Sequence, residues 1–165
     1  MSQTESELAI RRVLANYCRG LDRMDKPLSY SVFHADASAN YIDMYEGTGH
    51  GFIDWVWEAH AGMERHSHQI SNILIDLDGN KATSEAYVTV ALWTLADEQG
   101  QQTEIIGRGR YLDHWEKRDG IWAISVRTHV LDMQTIHELN KGYVNDASRR
   151  SVEDASYATL NWKIL

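Results

Sequence analysis

Cysteine and proline are almost absent from this sequence, since each occurs once in 165 residues. The single cysteine, Cys18, excludes an intrachain disulfide and favours a reducing, cytoplasmic location. Basic residues are outnumbered: 16 Lys and Arg face 24 Asp and Glu, which gives a net charge of −8. That charge argues against a surface for nucleic acid or anionic membranes. No apolar run reaches the roughly 18 residues of a membrane span, and the polar N-terminus is not typical of a signal peptide.

Phenylalanine is also scarce, whereas the amphipathic aromatic residues are abundant. The chain has two Phe but six Trp and eight Tyr. Such rings suit a pocket for a ring-bearing ligand or an oligomer interface, and filling of an ordinary core is the alternative. The sequence has no phosphate loop, dinucleotide-binding fingerprint, serine nucleophile elbow or paired-cysteine metal motif. These absences exclude the commonest cofactor and nucleotide chemistries.

The hydrophobic period changes along the chain from 3–4 residues to two. Apolar positions from Ile10 to Leu21 predict a first helix that Ser2 or Thr4 can cap, with Cys18 on its buried stripe. A short helix from Pro27 through Phe33 follows. The further elements predicted from the pattern are a strand at 38–45, a glycine turn at 47–51, a helix at 52–63, and four strands at 66–77, 82–96, 103–117 and 121–132.

Helices followed by strands in hairpins indicate an α+β domain, with N-terminal helices on one face of an antiparallel sheet. The predicted strands exceed the usual length, so the sheet should curve into a cone that encloses a pocket, and Gly107 and Gly109 should mark bulges. We expect this domain at residues 1–132. The mostly polar tail, residues 133–165, should include a helix near 135–139 and cap the pocket or pack on a neighbouring subunit.

Polar residues of two elements are candidates for chemistry. Asp22 ends the first helix, where the helix dipole disfavours a carboxylate unless it has a partner. His66, His68 and Asn72 should share one face of a strand. The two histidines suit metal binding, although a third ligand is missing nearby, or acid–base catalysis with an orienting carboxylate. Solvated side chains are the structural alternative.

The last strand carries a second candidate group. Arg127 lies among apolar residues, so it should face an anionic partner or a developing negative charge. His129 shares its face. We expect salt bridges on the outside of the sheet from Asp113, Glu116 and Lys117. Further candidates for the pocket, each with the core as the alternative, are Tyr17, Tyr41, Tyr45, Trp55 and Trp57.

In their order and spacing, these residues resemble the SnoaL-like family of the NTF2-like fold. This family includes scytalone dehydratase, hexachlorocyclohexane dehydrochlorinase and bile-acid 7-dehydratase. The resemblance covers about Leu8 to Asp132. The segments that carry it are Tyr17-Cys-Arg-Gly-Leu-Asp22, Phe33-His-Ala-Asp-Ala37, His68-Gln-Ile-Ser-Asn72, Gly109-Arg-Tyr-Leu-Asp113 and Trp115-Glu-Lys-Arg-Asp-Gly-Ile-Trp122.

The resemblance implies a role for each matching residue. Asp22 would orient His68, which would abstract a proton, and Arg127 would stabilise a leaving group. Tyr17 matches a site tyrosine, and Tyr41 would donate a proton. We expect three further residues to bind substrate: Trp57, Asn72 and His129. Scytalone dehydratase has a second catalytic histidine, for which only His129 is a candidate here. The resemblance also implies a homotrimer and no metal or organic cofactor.

The function predicted on this basis is a lyase for a hydrophobic, aromatic hydroxylated small molecule. The reaction would be dehydration, or C–C cleavage with loss of formaldehyde, as the resemblance to lyases of lignin-derived diarylpropane diols suggests. Two alternatives stay open. One is an isomerase or cyclase that uses Asp22 as base, and the other is a non-catalytic module, either a ligand binder or a partner like the small chain of ring-hydroxylating dioxygenases. The fold alone does not choose among them.

Overall fold

The computed structural model of the protein describes residues 2–139 and 142–160. Helices come first in the chain and strands follow. The elements are α1 (Gln3–Asp22), α2 (Lys26–Ser31), β1 (Phe33–Tyr41), β2 (Tyr45–Thr48), α3 (Gly49–Ala61), β3 (Met63–Asp78), β4 (Lys81–Thr94), β5 (Gln102–Arg118), β6 (Ile121–Leu139) and α4 (Ala155–Thr159).

One six-stranded sheet has the order β2-β1-β6-β5-β4-β3. Strands β3 to β6 are antiparallel neighbours, as expected. The expectation of an entirely antiparallel sheet is wrong, because β1 runs parallel to β6, with Phe33 opposite Ile124 and Tyr41 opposite His129. Helix α3 causes this, since it carries the chain from the β2 edge to the β3 edge and the hairpins then return toward β1. The fold is therefore α+β around a mixed, curved sheet, the NTF2-like arrangement.

Several predicted boundaries differ from the structure. The second helix ends at Ser31, and the strand predicted at 38–45 instead spans Phe33–Tyr41. The glycine turn is shorter than expected, because Thr48 ends β2 and its side chain caps α3 by accepting from the Gly51 amide. The helix expected near 135–139 is wrong. Strand β6 continues to Leu139, which pairs with Gln102 of β5, so the ladder with β5 determines the conformation there.

Helix α1 forms as its apolar pattern predicts. A capping box of Ser2 and Glu5 starts it. Its buried face carries Ile10, Leu14, Tyr17, Cys18 and Leu21, which confirms the predicted stripe and the buried thiol. Because this face packs against β3, the last turn of α1 lies beside the first residues of that strand.

The sheet is bent where β5 approaches β6 closely. Their register shifts between Arg108 and Gly109, as the glycines predicted. A Cβ atom at Gly109 would lie only 2.3 Å from the carbonyl oxygen of Val130, so glycine is required at this position. The concave face that results is the one covered by the helices.

The described part of the C-terminal segment, residues 142–160, packs against α1 of the same chain. The Tyr157 hydroxyl donates to Asp25 at 2.6 Å, Arg19 donates to Ser156 at 2.8 Å, and Arg23 pairs with Asp154 at 3.3 Å. The rest of the predicted tail, residues 140, 141 and 161–165, lies outside the described residues. Within the described ranges, no helix has the length and apolar character that crossing a membrane requires.

Candidate active site

Asp22 and His68 form a hydrogen-bonded pair, the contact that the family resemblance implied. The Asp22 Oδ1 atom lies 2.6 Å from His68 Nδ1, and Oδ2 accepts from the His68 backbone amide at 2.9 Å. Two-point contact fixes both the position and the ring orientation of His68. Since a carboxylate accepts from the Nδ1–H tautomer, Nε2 is the ring nitrogen left to act as a base.

The unfavourable effect of burial on the charge of Asp22, at the end of α1, is offset by the groups that contact its carboxylate. Burial by itself raises the pKa of this carboxyl group, but the nearby imidazole of His66 and the hydrogen bonds from His68 outweigh it and lower the pKa to about 2. Asp22 is therefore ionised at neutral pH. A fixed negative charge beside Nδ1 stabilises the imidazolium that forms when Nε2 takes a proton.

Two further buried histidines adjoin the pair. His66 Nδ1 lies 3.5 Å from Asp22 Oδ1, and the ring of His66 stacks on that of His60 with centroids 4.1 Å apart. Desolvation, with repulsion from the neighbouring histidines and Arg150, lowers the pKa of His60 to about 2 and also lowers that of His66. Both imidazoles are neutral at pH 7. The role of His60 was missed because its helical spacing reads equally well as core.

His68 faces a cavity of about 210 Å³ on the concave side of the sheet. Its lining is mostly apolar and aromatic, and few polar groups reach it. The residues that bear on the chemistry are Tyr17, Tyr41, His60, His68, Tyr111 and His129. A largely apolar pocket with a few converging polar groups is typical of small-molecule sites.

A pair of tyrosines supplies hydroxyl groups to this cavity. The hydroxyl oxygens of Tyr17 and Tyr41 are 2.7 Å apart, and the ring centroids of Tyr17 and His68 are 6.3 Å apart. Burial raises the pKa of both phenols well above the ordinary value. They are therefore neutral hydrogen-bond donors across from the base. Both tyrosines line the same cavity as His68.

Arg127 is buried behind the tyrosines and does not line the cavity. Its Nε and Nη2 atoms donate to the two carboxylate oxygens of Asp113 at 2.8 and 2.7 Å. Its guanidinium lies 4.3 Å from the Tyr17 ring centroid and 4.0 Å from that of Tyr111. Asp113 is thus buried, and the expectation that it lies in an outer salt bridge is wrong. The anionic partner predicted for Arg127 is this carboxylate.

The structure separates the remaining predicted residues. His129 is buried, lines the cavity, and has a pKa that desolvation and Arg127 lower to about 4. Asn72 does not share the face of His66 and His68, because a bulge between Ser71 and Leu74 turns it outward with φ of 48°. Trp57 packs near Lys26, 5.7 Å from its Nζ atom, and is not among the lining residues.

Trp57 and its neighbour Trp55 show how helix α3 is oriented. Trp55 lines the cavity, as do Phe52 and Val56 of the same helix. Of the two tryptophans named as pocket candidates, Trp55 lines the cavity and Trp57, expected to bind substrate, does not. Tyr45, another candidate, lies outside the lining and packs its ring against that of Trp55.

The pattern of the SnoaL-like domain family matches residues 2–128. This chain belongs to that family. By sequence, no curated protein matches the chain.

Solved structures share the fold. A protein from Novosphingobium aromaticivorans, assigned as a scytalone dehydratase, is 23% identical, with a TM-score of 0.71 over 84% of this chain and 92% of that one. A hexachlorocyclohexane dehydrochlorinase (LinA) type 2 is 16% identical, with a TM-score of 0.75 over 87% and 96%. A protein of unknown function from Mycobacterium tuberculosis is 28% identical, with a TM-score of 0.66 over 79% and 73%.

Proposed function

We propose that this protein is a cofactor-independent lyase that acts on a hydrophobic, aromatic hydroxylated small molecule. The observation that carries the proposal is the 2.6 Å hydrogen bond between Asp22 and His68 at the wall of an apolar cavity. This pair supplies an oriented base. The paired tyrosine hydroxyls supply a donor to the leaving group in the same cavity.

The base works through His68 Nε2. Asp22 holds Nδ1 and stays negative, so it favours the protonated ring once Nε2 has taken a proton from the substrate. Proton transfer to a positioned base contributes typically about 10²–10⁴-fold to a rate. The apolar lining keeps bulk water from competing for Nε2.

Tyr17 and Tyr41 provide the hydrogen-bond donor for the leaving oxygen. Both phenols keep their protons, so one donates to the departing hydroxyl while the other donates to its partner. Arg127 acts through them, because its charge lies behind the Tyr17 ring and not in the cavity. Arg127 is therefore a positioning residue. The resemblance implies direct contact with a leaving group, and this indirect role takes the place of that expectation.

Two eliminations fit this arrangement. In dehydration, His68 takes a C–H proton, the electron pair forms an alkene, and the adjacent hydroxyl leaves as water. In a diaryl-1,3-diol, His68 takes the proton of the primary hydroxyl, and that oxygen's electrons form formaldehyde as the C–C bond breaks. The released pair then forms the alkene and expels the benzylic hydroxyl as water. The proton gained by His68 balances the one that the leaving hydroxyl needs.

The lining supports the second substrate class. Aromatic side chains flank the cavity on several elements, with the ring of Tyr41 stacked on that of Phe52 at 3.6 Å and Tyr111 and Trp55 also in the wall. Aromatic walls favour aryl groups through offset and edge-to-face contacts. A substrate with two aryl groups around a short diol would place its hydroxyls between base and phenols.

The test is turnover of aryl alcohols and diaryl-1,3-diols by the protein in excess chelator, with products identified by mass and released formaldehyde measured. Loss of 18 mass units indicates dehydration; a stilbene with one equivalent of formaldehyde indicates C–C cleavage. An isomeric product of unchanged mass would contradict the lyase and indicate an isomerase or cyclase. Binding of the panel without any product would contradict an enzyme and indicate a ligand-binding module.

A homotrimer is part of the proposal. Strand β6 exposes Met133 and Ile136 on the surface of the single chain, and such apolar residues suit burial against another subunit. Light scattering should give three times the chain mass of 18.9 kDa. A mass of one chain at micromolar concentration would contradict this assembly.

A further inference from the structure

Three side chains from two elements converge on one point beside the cavity. Asp22 comes from the end of α1, and His66 and His68 from the start of β3. One ligand atom of each lies within 4.8 Å of the others. The third ligand that the sequence did not offer for the His-x-His pair is therefore supplied by the helix that packs on the strand. One buried carboxylate and two imidazoles form a donor set that suits zinc and related divalent ions.

The environment of His66 supports such an ion independently of Asp22 and His68. Its side chain is fully buried, with 0% exposure, and neither ring nitrogen has a hydrogen-bond partner among the described residues. Buried polar groups are rarely left unsatisfied, and each such case calls for a partner. A metal ion bonded to Nδ1 would provide one.

The distances indicate which contact must change. Ligand atoms of a tetrahedral zinc site with bonds of about 2.0–2.1 Å are about 3.3 Å apart. His66 Nδ1 and Asp22 Oδ1, at 3.5 Å, already have this spacing. His68 Nδ1 and Asp22 Oδ1, at 2.6 Å, are too close. An ion would therefore enter only after the Nδ1–H proton is released and this hydrogen bond is broken.

A second cavity offers an access route to two of the three ligands. Asp22 and His66 line this cavity of about 370 Å³, together with the C-terminal residues Tyr143, Val144, Asn145 and Ser148. Three arginines also line this cavity. Arg23 pairs with Asp154 and Arg65 pairs with Glu64. Arg150 donates only to the backbone carbonyls of His60 and Met63, so its charge opposes a cation, and the Asp22 carboxylate must outweigh it.

We propose that Asp22, His66 and His68 bind one zinc-class divalent ion, and that the bound ion replaces the hydrogen bond between Asp22 and His68. Binding of the ion depends only on these three side chains. Its effect on turnover rests on the proposed function, because an ion held by Nδ1 and the carboxylate removes the charge that activates His68. The ion is therefore an inhibitor of the lyase and not its cofactor.

The test uses chelator-stripped full-length protein titrated with Zn²⁺ by calorimetry and with Co²⁺ by visible absorption. We expect one ion per chain, cobalt bands typical of tetrahedral or five-coordinate nitrogen and oxygen ligation, and a thermal midpoint that rises with Zn²⁺. Replacing a ligand in His66→Gln or His68→Gln should weaken Zn²⁺ binding by at least about tenfold. The matched control is His114→Gln, an exposed histidine of β5, which should bind as the wild type does.

Each result decides between clear alternatives. No stoichiometric binding by the wild type, or equal affinity in wild type and His66→Gln, would overturn the site. The cobalt spectrum of the wild type keeps this conclusion independent of whether a variant folds. Where turnover has been found, stoichiometric Zn²⁺ should abolish it and chelator should restore it. Full turnover with the ion bound would contradict the proposal that the ion replaces the hydrogen bond, and the lyase proposal would stand. Ion binding by a protein that turns over no substrate would support the metal site and contradict the lyase.

Discussion

Asp22 contacts His68 at two points, through the ring at Nδ1 and through the backbone amide. Because the same carboxylate fixes the strand and the imidazole, the ring cannot rotate without losing a charge-assisted hydrogen bond. This arrangement makes Asp22 a positioning residue for the base.

Replacing Asp22 with asparagine removes the charge and keeps the size. We expect kcat to fall by about 10²–10⁴-fold, because the imidazolium is no longer stabilised and the amide can bind the wrong tautomer. KM should change little, since Asp22 lies behind His68. Steady-state kinetics on the substrate identified by mass would measure the split. A rise in KM at unchanged kcat would assign Asp22 to substrate binding instead.

The two tyrosine hydroxyls should act as a unit. Tyr17→Phe and Tyr41→Phe each break the 2.7 Å contact, so each should lower kcat by about 10²–10³-fold. The double variant should lose little more than either single one. Equal rates in the wild type and both single variants would show that the phenols have no part in the mechanism. The control is Tyr87→Phe, which changes an exposed tyrosine of β4.

The buried pair of Arg127 and Asp113 should matter for stability as well as for activity. Asp113→Asn leaves the guanidinium charge without its anionic partner, which should cost about 3–5 kcal/mol in the free energy of unfolding. The double variant Asp113→Leu/Arg127→Met should be less destabilised than Asp113→Asn alone, because no charge is left buried. Urea unfolding measures both. A loss under about 1 kcal/mol in Asp113→Asn would show that water reaches the pair.

Acid should destabilise the fold before ordinary carboxylates titrate. Burial lowers the pKa of His129 to about 4 and that of His60 to about 2, and lowers that of His66. Each folded-state pKa lies below the unfolded value, so the stabilisation is complete above about pH 6.5 and is lost as the pH falls through the folded values. Between about pH 6.5 and their folded-state values, His129 and His60 should each contribute a slope of about 1.4 kcal/mol per pH unit, and His66 should add to the decline.

Urea unfolding between pH 8 and pH 4.5 tests this pH dependence. The free energy of unfolding should be flat above pH 7 and decline below pH 6.5. His129→Gln should have a shallower decline, while His114→Gln should match the wild type. A free energy that stays constant down to pH 4.5 would show that water solvates these imidazoles in the folded protein.

The sequence predicted those parts of the fold that depend on local periodicity. The stripe from Ile10 to Leu21 and the hairpins from β3 to β6 follow the hydrophobic pattern and the turn residues. The parallel pairing of β1 with β6 was not predictable in this way, since it depends on where α3 delivers the chain. Resemblance to a family, and not spacing, brought Asp22 and His68 together.

The misplaced site residues have two different causes. Side-chain direction in a strand alternates only while the register is regular, and the bulge next to Asn72 placed that residue on the wrong face. Asp113 instead alternates regularly with Tyr111 and Trp115 on the buried face of β5, and its charge led to the outer assignment. His66 was correctly placed beside His68, but its contact with Asp22 is a tertiary one that links positions 44 residues apart in the chain.

The most direct test of the central claim is kcat/KM of the wild type and of His68→Gln, measured in chelator on the same substrate, with His114→Gln as control. The account predicts that His68→Gln loses at least about 10²-fold while its affinity for a product analogue and its circular dichroism are unchanged. Equal kcat/KM in the wild type and His68→Gln would contradict His68 as the base.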